Sequence, residues 1–281
     1  MLLLIVLLNV LVINVYGNIN SLKYVYQNDI YKKLFLSLSS MSVYLDSRND
    51  NDLVFFCPGY MIPIECYTNL YDVIQSSIPQ SSETIVYNSN NIDNNDSILT
   101  DINNLKNLLS SKTDKQNRNI IIFGHSRGGS VALSSLLSAN LKKDINKLLI
   151  LLDPVDDGFN NAIKILKEYR IVDDNLKILL IKLPYGGYSK FYKKSFDSSC
   201  APNGRNADTF MNIFEEYHYN VDYKIIQEFG HFGLLSEKEL EKLAIGNVCS
   251  FYDNTLSPNI IQSKKNSAYN IITQFIKLNV V

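Results

Sequence analysis

The chain has 281 residues, and its 27 Lys and Arg nearly balance 28 Asp and Glu. A formal charge of −1 offers no handle for phosphate backbones or acidic membranes, which sets aside generic nucleic-acid binding. A hydrophobic content of 46% excludes wholesale disorder, and a chain this long can bury about 75% of its unfolded surface.

Residues 1–17, MLLLIVLLNVLVINVYG, begin with a nearly unbroken apolar run. It is too short for a membrane span of about 20 residues, and it reads as a secretory signal peptide removed after Gly17, although the usual preceding basic residues are missing. Residues 18–281 are expected to form one soluble domain, monomeric, without a membrane span, either secreted or held in a vesicular or endomembrane lumen. Beyond the leader, β-rich apolar runs occur at Leu53–Cys57, Thr84–Tyr87, Ile120–Phe123, Leu148–Leu152, Ile178–Leu183 and Tyr223–Phe229. Helical patterns fall at Ile98–Leu109, Ser130–Leu141, Asn160–Tyr169, Asp208–Tyr219, Glu237–Ile245 and Tyr269–Leu278. This alternation predicts βαβ units: an α/β fold with a mainly parallel central sheet and helices on both faces. Asn88–Asp96 and Tyr185–Asp208 are expected as loops, and Asn95 heads the only N-glycosylation sequon, Asn95-Asp96-Ser97.

Cys57, Cys66, Cys200 and Cys249 are even in number, so in an oxidising compartment one or two disulfides are expected. Four cysteines allow three pairings, and the spacing does not choose among them. No CxxC or HExxH occurs, so no metal is expected.

Asn119–Phe123 runs directly into Gly124-His125-Ser126-Arg127-Gly128-Gly129 and then into a helical pattern. This is G-x-S-x-G between a strand and a helix, the context in which the serine is a nucleophile. The glycines are required because a Cβ at 124 or 128 would collide with the crossing strand and helix. The start of the helix points a positive dipole end at a developing oxyanion. A serine hydroxyl needs a base. Of the three histidines, His125 belongs to the turn and His218 to a helix, as a surface or core residue. His231, on the glycine-flanked loop Phe229–Gly233 after the last strand, is the expected base. Asp153, at the end of the strand Leu148–Leu152, is the expected acid; Asp156 is the alternative, and more naturally a solvated turn residue or helix cap. The second oxyanion donor, beside the Arg127 N–H, is expected from the turn Pro58-Gly59-Tyr60-Met61. Proline has no N–H, and the Tyr60 backbone is preferred over that of Met61. The Arg127 side chain reads as an ion-pair partner.

These residues resemble the chlorophyllase family of α/β-hydrolases. The family's GHSRGG stands unaltered at Gly124–Gly129, its DPV segment at Asp153-Pro154-Val155, and its YGH segment is close to Phe229-Gly230-His231. A CAP triplet before a later Asn recurs as Cys200-Ala201-Pro202…Asn206. The resemblance, over roughly residues 53 to 250, implies the α/β-hydrolase fold, serine esterase activity, and a triad of Ser126, Asp153 and His231 in the hydrolase order. It also implies a Cys200–Cys249 disulfide. Two departures stand out. Pro58-Gly59 replaces the usual His-Gly, as in a polyester-hydrolysing, cutinase-like branch, and Asp157 intervenes before Gly158. The implied substrate is therefore a class, apolar or lipid-like small-molecule esters, rather than chlorophyll itself, with no cofactor. Loops Met61–Cys66 and Tyr185–Asn206 are expected to line its pocket. The competing readings are a silent hydrolase fold that binds a lipid or protein, and a triad enzyme acting on thioesters, peptides or acyl transfer.

Overall fold

The apolar runs become adjacent strands of one sheet. The computed structural model describes residues 42–43, 52–60, 62–80, 82–87, 98–113, 119–156, 161–169, 173–185, 200–202, 204–242 and 249–280. Its strands are β1 (Ser42–Val43), β2 (Asp52–Cys57), β3 (Glu83–Val86), β4 (Asn119–His125), β5 (Asn146–Leu152), β6 (Leu176–Lys182) and β7 (Val221–Ile225). The helices are α1 (Thr68–Ser77), entered through a 3-10 turn at Ile64–Tyr67, α2 (Ile98–Lys112), α3 (Arg127–Ser138), α4 (Asn161–Glu168), α5 (Ala207–Glu216), α6 (Glu237–Lys242) and α7 (Pro258–Asn279).

The strand order is β1-β3-β2-β4-β5-β6-β7. The short β1 pairs antiparallel with β3, and all other pairs are parallel. The chain steps outward from β2 to β3, then returns to lay β4 on the other side of β2. The crevice beyond the carboxyl ends of β2 and β4 is therefore the topological switch point, where open α/β sheets place their ligands.

Strand alternation builds a core on each face. Leu53, Phe55 and Cys57 of β2 join Ile120 and Ile122 of β4 and Leu149 and Leu151 of β5, packing with residues of α2 to α5. Val54, Phe56, Ile121, Phe123, Leu148 and Ile150 pack on the opposite side with α1, α6 and α7. The strands buried on both faces are near-continuous in hydrophobicity, as parallel strands require. The expected α/β-hydrolase architecture, a parallel sheet between two helical layers, is what the chain adopts.

Several boundaries differ from the sequence expectations. The unpredicted α1, TNLYDVIQSS, buries only Leu70, Ile74 and Ser77, too sparse an apolar stripe to stand out. Helix α3 begins at Arg127, directly after the serine, rather than at Ser130. Strand β7 ends at Ile225, and Glu228 then turns the chain with φ 62°. Helix α7 starts at Pro258, well before Tyr269; its first half is polar and exposed, and only Ala268, Ile272, Phe275 and Ile276 are buried. The expected leader at 1–17, the loop Asn88–Asp96 with Asn95, Met61, Asp157 and most of the Tyr185–Asp208 connection lie outside the described residues. Among the described residues, no helix is long and apolar enough to cross a membrane.

Candidate active site

At the switch point β4 ends in Gly124-His125, and the next residue, Ser126, takes φ 55°, ψ −130°. A non-glycine residue at positive φ is costly and persists only where its surroundings fix it. Here the Ser126 N–H donates to the Leu152 carbonyl at 3.1 Å, and its carbonyl accepts from Gly129 at 2.9 Å and Val155 at 3.0 Å. The flanking glycines are demanded by close packing. A Cβ at Gly128 would run into the carbonyl oxygens of Cys57 and Pro58, and one at Gly124 into the backbone of Gly129. The turn is thus wedged between the end of β2 and the start of α3, as the spacing of the motif predicts.

Asp153 follows β5 and also takes a positive φ, 40°. Its N–H donates to Ile181 at 2.7 Å, and its Oδ1 accepts from the Leu183 N–H at 3.3 Å. Its Oδ2 lies 2.6 Å from His231 Nδ1, both side chains 3% exposed. A carboxylate can only accept, so Nδ1 carries the proton between them. The His231 loop is held from behind by residues 249–253. Gly230 N–H donates to Phe251 at 2.8 Å and Phe232 N–H to Ser250 at 3.0 Å. Gly230 lies so close to the carbonyls of Tyr185 and Ser250 that a side chain there would clash with both. The adjoining Cys249 is bonded to Cys200, with Cα atoms 5.7 Å apart. The structure therefore brings Asp153 and His231 into contact. It joins Ser126 to the Asp153 turn through backbone hydrogen bonds and not through the serine hydroxyl.

Tyr60 and Arg127, the residues expected to supply oxyanion donors, meet across the crevice. The Arg127 guanidinium carbon lies 5.2 Å from the centre of the Tyr60 ring. Its Nη2 pairs with Asp101 Oδ2 at 2.5 Å, which makes the side chain an ion-pair partner tying the turn to α2. Tyr87 Oη donates to the same carboxylate at 3.3 Å. Asp101, 4% exposed, was not singled out by the sequence, where it is one polar residue in an amphipathic helix. The Arg127 backbone opens α3, where the dipole is positive.

The remaining candidates separate cleanly. Asp156 caps α4, accepting from the Ala162 N–H at 3.0 Å and the Ile163 N–H at 2.8 Å; it is buried rather than solvated. His218 is exposed at the exit of α5, with φ 59°. The disulfide implied by the resemblance, Cys200–Cys249, is formed, whereas Cys57 and Cys66 are buried thiols and not a second bridge. The reason is the sheet itself: Cys57 belongs to one core and Cys66 to the core on the opposite face. Burial raises both thiols, Cys66 to about 12, so neither ionises near neutral pH.

No curated protein matches the chain. Among solved structures, Est1E from Butyrivibrio proteoclasticus is similar at 10% identity and TM-score 0.47, over 84% of this chain and 93% of that one. The esterase domain of a Rhodothermus marinus protein is similar at 12% identity and TM-score 0.44, over 86% and 92%. An uncharacterized protein from Bacillus cereus ATCC 10987 shares 18% identity at TM-score 0.43; 77% of this chain is covered, but just under two thirds of that one, 66%. The Chlorophyllase family model matches residues 25–258. That match takes in all seven strands and the turns bearing Ser126, Asp153 and His231, and on it the chain belongs to the chlorophyllase family.

Proposed function

We propose that the chain is an exported serine carboxylic-ester hydrolase acting on apolar esters. The observation that carries this reading is the buried 2.6 Å contact between His231 Nδ1 and Asp153 beside a strained Ser126 at the strand-to-helix turn. In this reading Ser126 Oγ attacks the ester carbonyl while His231 Nε2 takes its proton. Asp153 holds the ring in that tautomer and stabilises the imidazolium. The oxyanion accepts hydrogen bonds from the Tyr60 and Arg127 N–H groups, each worth about 3–4 kcal/mol in the transition state. The imidazolium then protonates the departing alcohol, leaving an acyl-Ser126. Water, deprotonated by His231, releases the acid and restores the serine. No cofactor enters these steps.

The Cys200–Cys249 bond supports export into an oxidising compartment. The proposal includes removal of residues 1–17 and a monomer of one domain over 18–281; N-terminal sequencing of the exported chain should begin at Asn18. Activity is tested with p-nitrophenyl esters from acetate to palmitate, on mature protein and Ser126→Ala together. Hydrolysis that disappears in the variant supports the reading, and the acyl-length profile reports the depth of the pocket. A folded wild-type protein that cleaves none of the series would turn the reading toward a silent binder.

A further inference from the structure

His125 and Tyr67 are left over from this mechanism, yet both are fully buried directly beneath it. Three hydrogen bonds run through them. The Gly59 N–H donates to Tyr67 Oη at 2.7 Å, Tyr67 Oη lies 2.8 Å from His125 Nδ1, and His125 Nε2 lies 3.0 Å from the His231 carbonyl oxygen. The proton positions follow from valence. A carbonyl only accepts, so His125 carries its proton on Nε2. Nδ1 then has the lone pair, accepts the Tyr67 O–H, and leaves the phenol oxygen to accept from Gly59. Every donor finds an acceptor in one direction only. A proton added at Nδ1 would leave the Tyr67 O–H without its acceptor. Burial, and secondarily the neighbouring His231, hold His125 well below the usual histidine range, so the ring stays neutral.

The ends of this chain of hydrogen bonds matter. Gly59 immediately precedes Tyr60, whose N–H is one proposed oxyanion donor. The His231 carbonyl belongs to the residue proposed as base. The middle member, His125, is bonded covalently to Ser126. Resting on the proposed esterase reading, we infer that Tyr67 and His125 are positioning residues: they lock the Tyr60 turn and the His231 loop to the nucleophile turn through a single directional relay. A buried relay with every member satisfied has one arrangement, which is what a preorganised site needs. The two imidazoles, tilted by 37° with ring centres 4.6 Å apart, then turn opposite nitrogens into their hydrogen bonds: His125 donates from Nε2 and His231 from Nδ1.

Two measurements test this. With only three histidines in the chain, 15N-histidine NMR at neutral pH reads each tautomer directly and requires no substrate. His125 protonated on Nε2 alone is expected; His125 protonated on Nδ1, or doubly protonated, overturns the relay. In kinetics, Tyr67→Phe removes one oxygen and keeps the ring. Per folded molecule, kcat should fall about 10- to 100-fold with KM within about twofold, because the loss is of transition-state geometry. Gly59 amide exchange should accelerate in the same variant. His125→Gln, which can both accept and donate, should retain at least about tenfold more kcat than His125→Leu. A lower Tm with kcat unchanged in Tyr67→Phe, or equal loss in the two His125 variants, would reduce the network to a structural role and overturn the inference. Should the wild-type protein cleave no ester, that result counts against the esterase reading, while the tautomers and the Gly59 exchange still decide the relay.

Discussion

The two ends of the same parallel strands both bury polar groups, to opposite effect. At the amino ends, Asn119 donates to Asp52 at 2.7 Å, and Asn146 bridges Asn119 to the Asn279 carbonyl. Lys147, 4% exposed, meets Asp173 at 2.9 Å and the Ile145 carbonyl at 2.8 Å. Asp52, Asn119, Asn146 and Lys147 all sit within strands, and their network fastens the last residues of α7 and the loops to the sheet. At the carboxyl ends, Ser126 and Asp153 take positive φ, two histidine rings lie 4.6 Å apart at a tilt of 37°, and a carboxylate holds one of them. Burial of polar groups is common to both ends. What distinguishes the candidate active site is strained backbone together with the proposed nucleophile and base, held by neighbours that fix them.

The comparison breaks first at Asp153. Asp153→Asn keeps the shape but lets the His231 ring adopt the wrong tautomer, so kcat should drop by about 10⁴-fold while the fold persists; near-wild-type turnover would remove Asp153 from the site. Next in size is the disulfide, which closes a loop of 49 residues between Cys200 and Cys249 and so contributes up to about 4 kcal/mol. Replacing both cysteines by serine should lower the urea midpoint accordingly. Activity should fall in parallel, because Cys249 adjoins the segment that braces Gly230 and Phe232.

The opposite end gives the control. Lys147→Met should cost about 1–3 kcal/mol through loss of the Asp173 pair and the carbonyl contacts. Per folded molecule its kcat should not change, and a large kcat loss would mean the two ends are coupled. The smallest effect is one of pH. His125 is neutral when folded but ionises in the unfolded chain below about pH 6.5, so the unfolded state binds more protons and stability declines as pH falls. That contribution amounts to about 1.4 kcal/mol per pH unit on the acid side. His125→Gln should therefore show a flatter acid limb in a Tm-versus-pH series; parallel limbs would place the ring in contact with solvent.

How much was legible in the sequence depended on range. The strands stood out because parallel strands covered on both faces need unbroken apolar runs such as Ile120–Phe123. The serine stood out because its turn needs glycines within two residues on each side, a local signature. Asp153 and His231, which the fold brings into contact, were singled out by their position at strand ends and by chain order. By contrast α1 is carried by tertiary packing on a few apolar residues, and the first half of α7 is polar and exposed, so neither shows a full apolar stripe. Tyr67 and Asp101 were invisible for a related reason. Tyr67 reaches His125, 58 residues on, only because the sheet places β2 beside β4, and nothing local marks either residue. Counting cysteines left Cys57 and Cys66 as candidates for a bridge; only the pleat of β2 shows that a sheet separates them.

The central claim is that Ser126 is the nucleophile. A fluorophosphonate incubated with the mature protein, followed by peptide mass spectrometry, tests it most directly. The account predicts a single adduct on Ser126, absent from Ser126→Ala, with ester hydrolysis lost in both the labelled protein and the variant. An adduct on another residue, or hydrolysis that survives in Ser126→Ala, would contradict it.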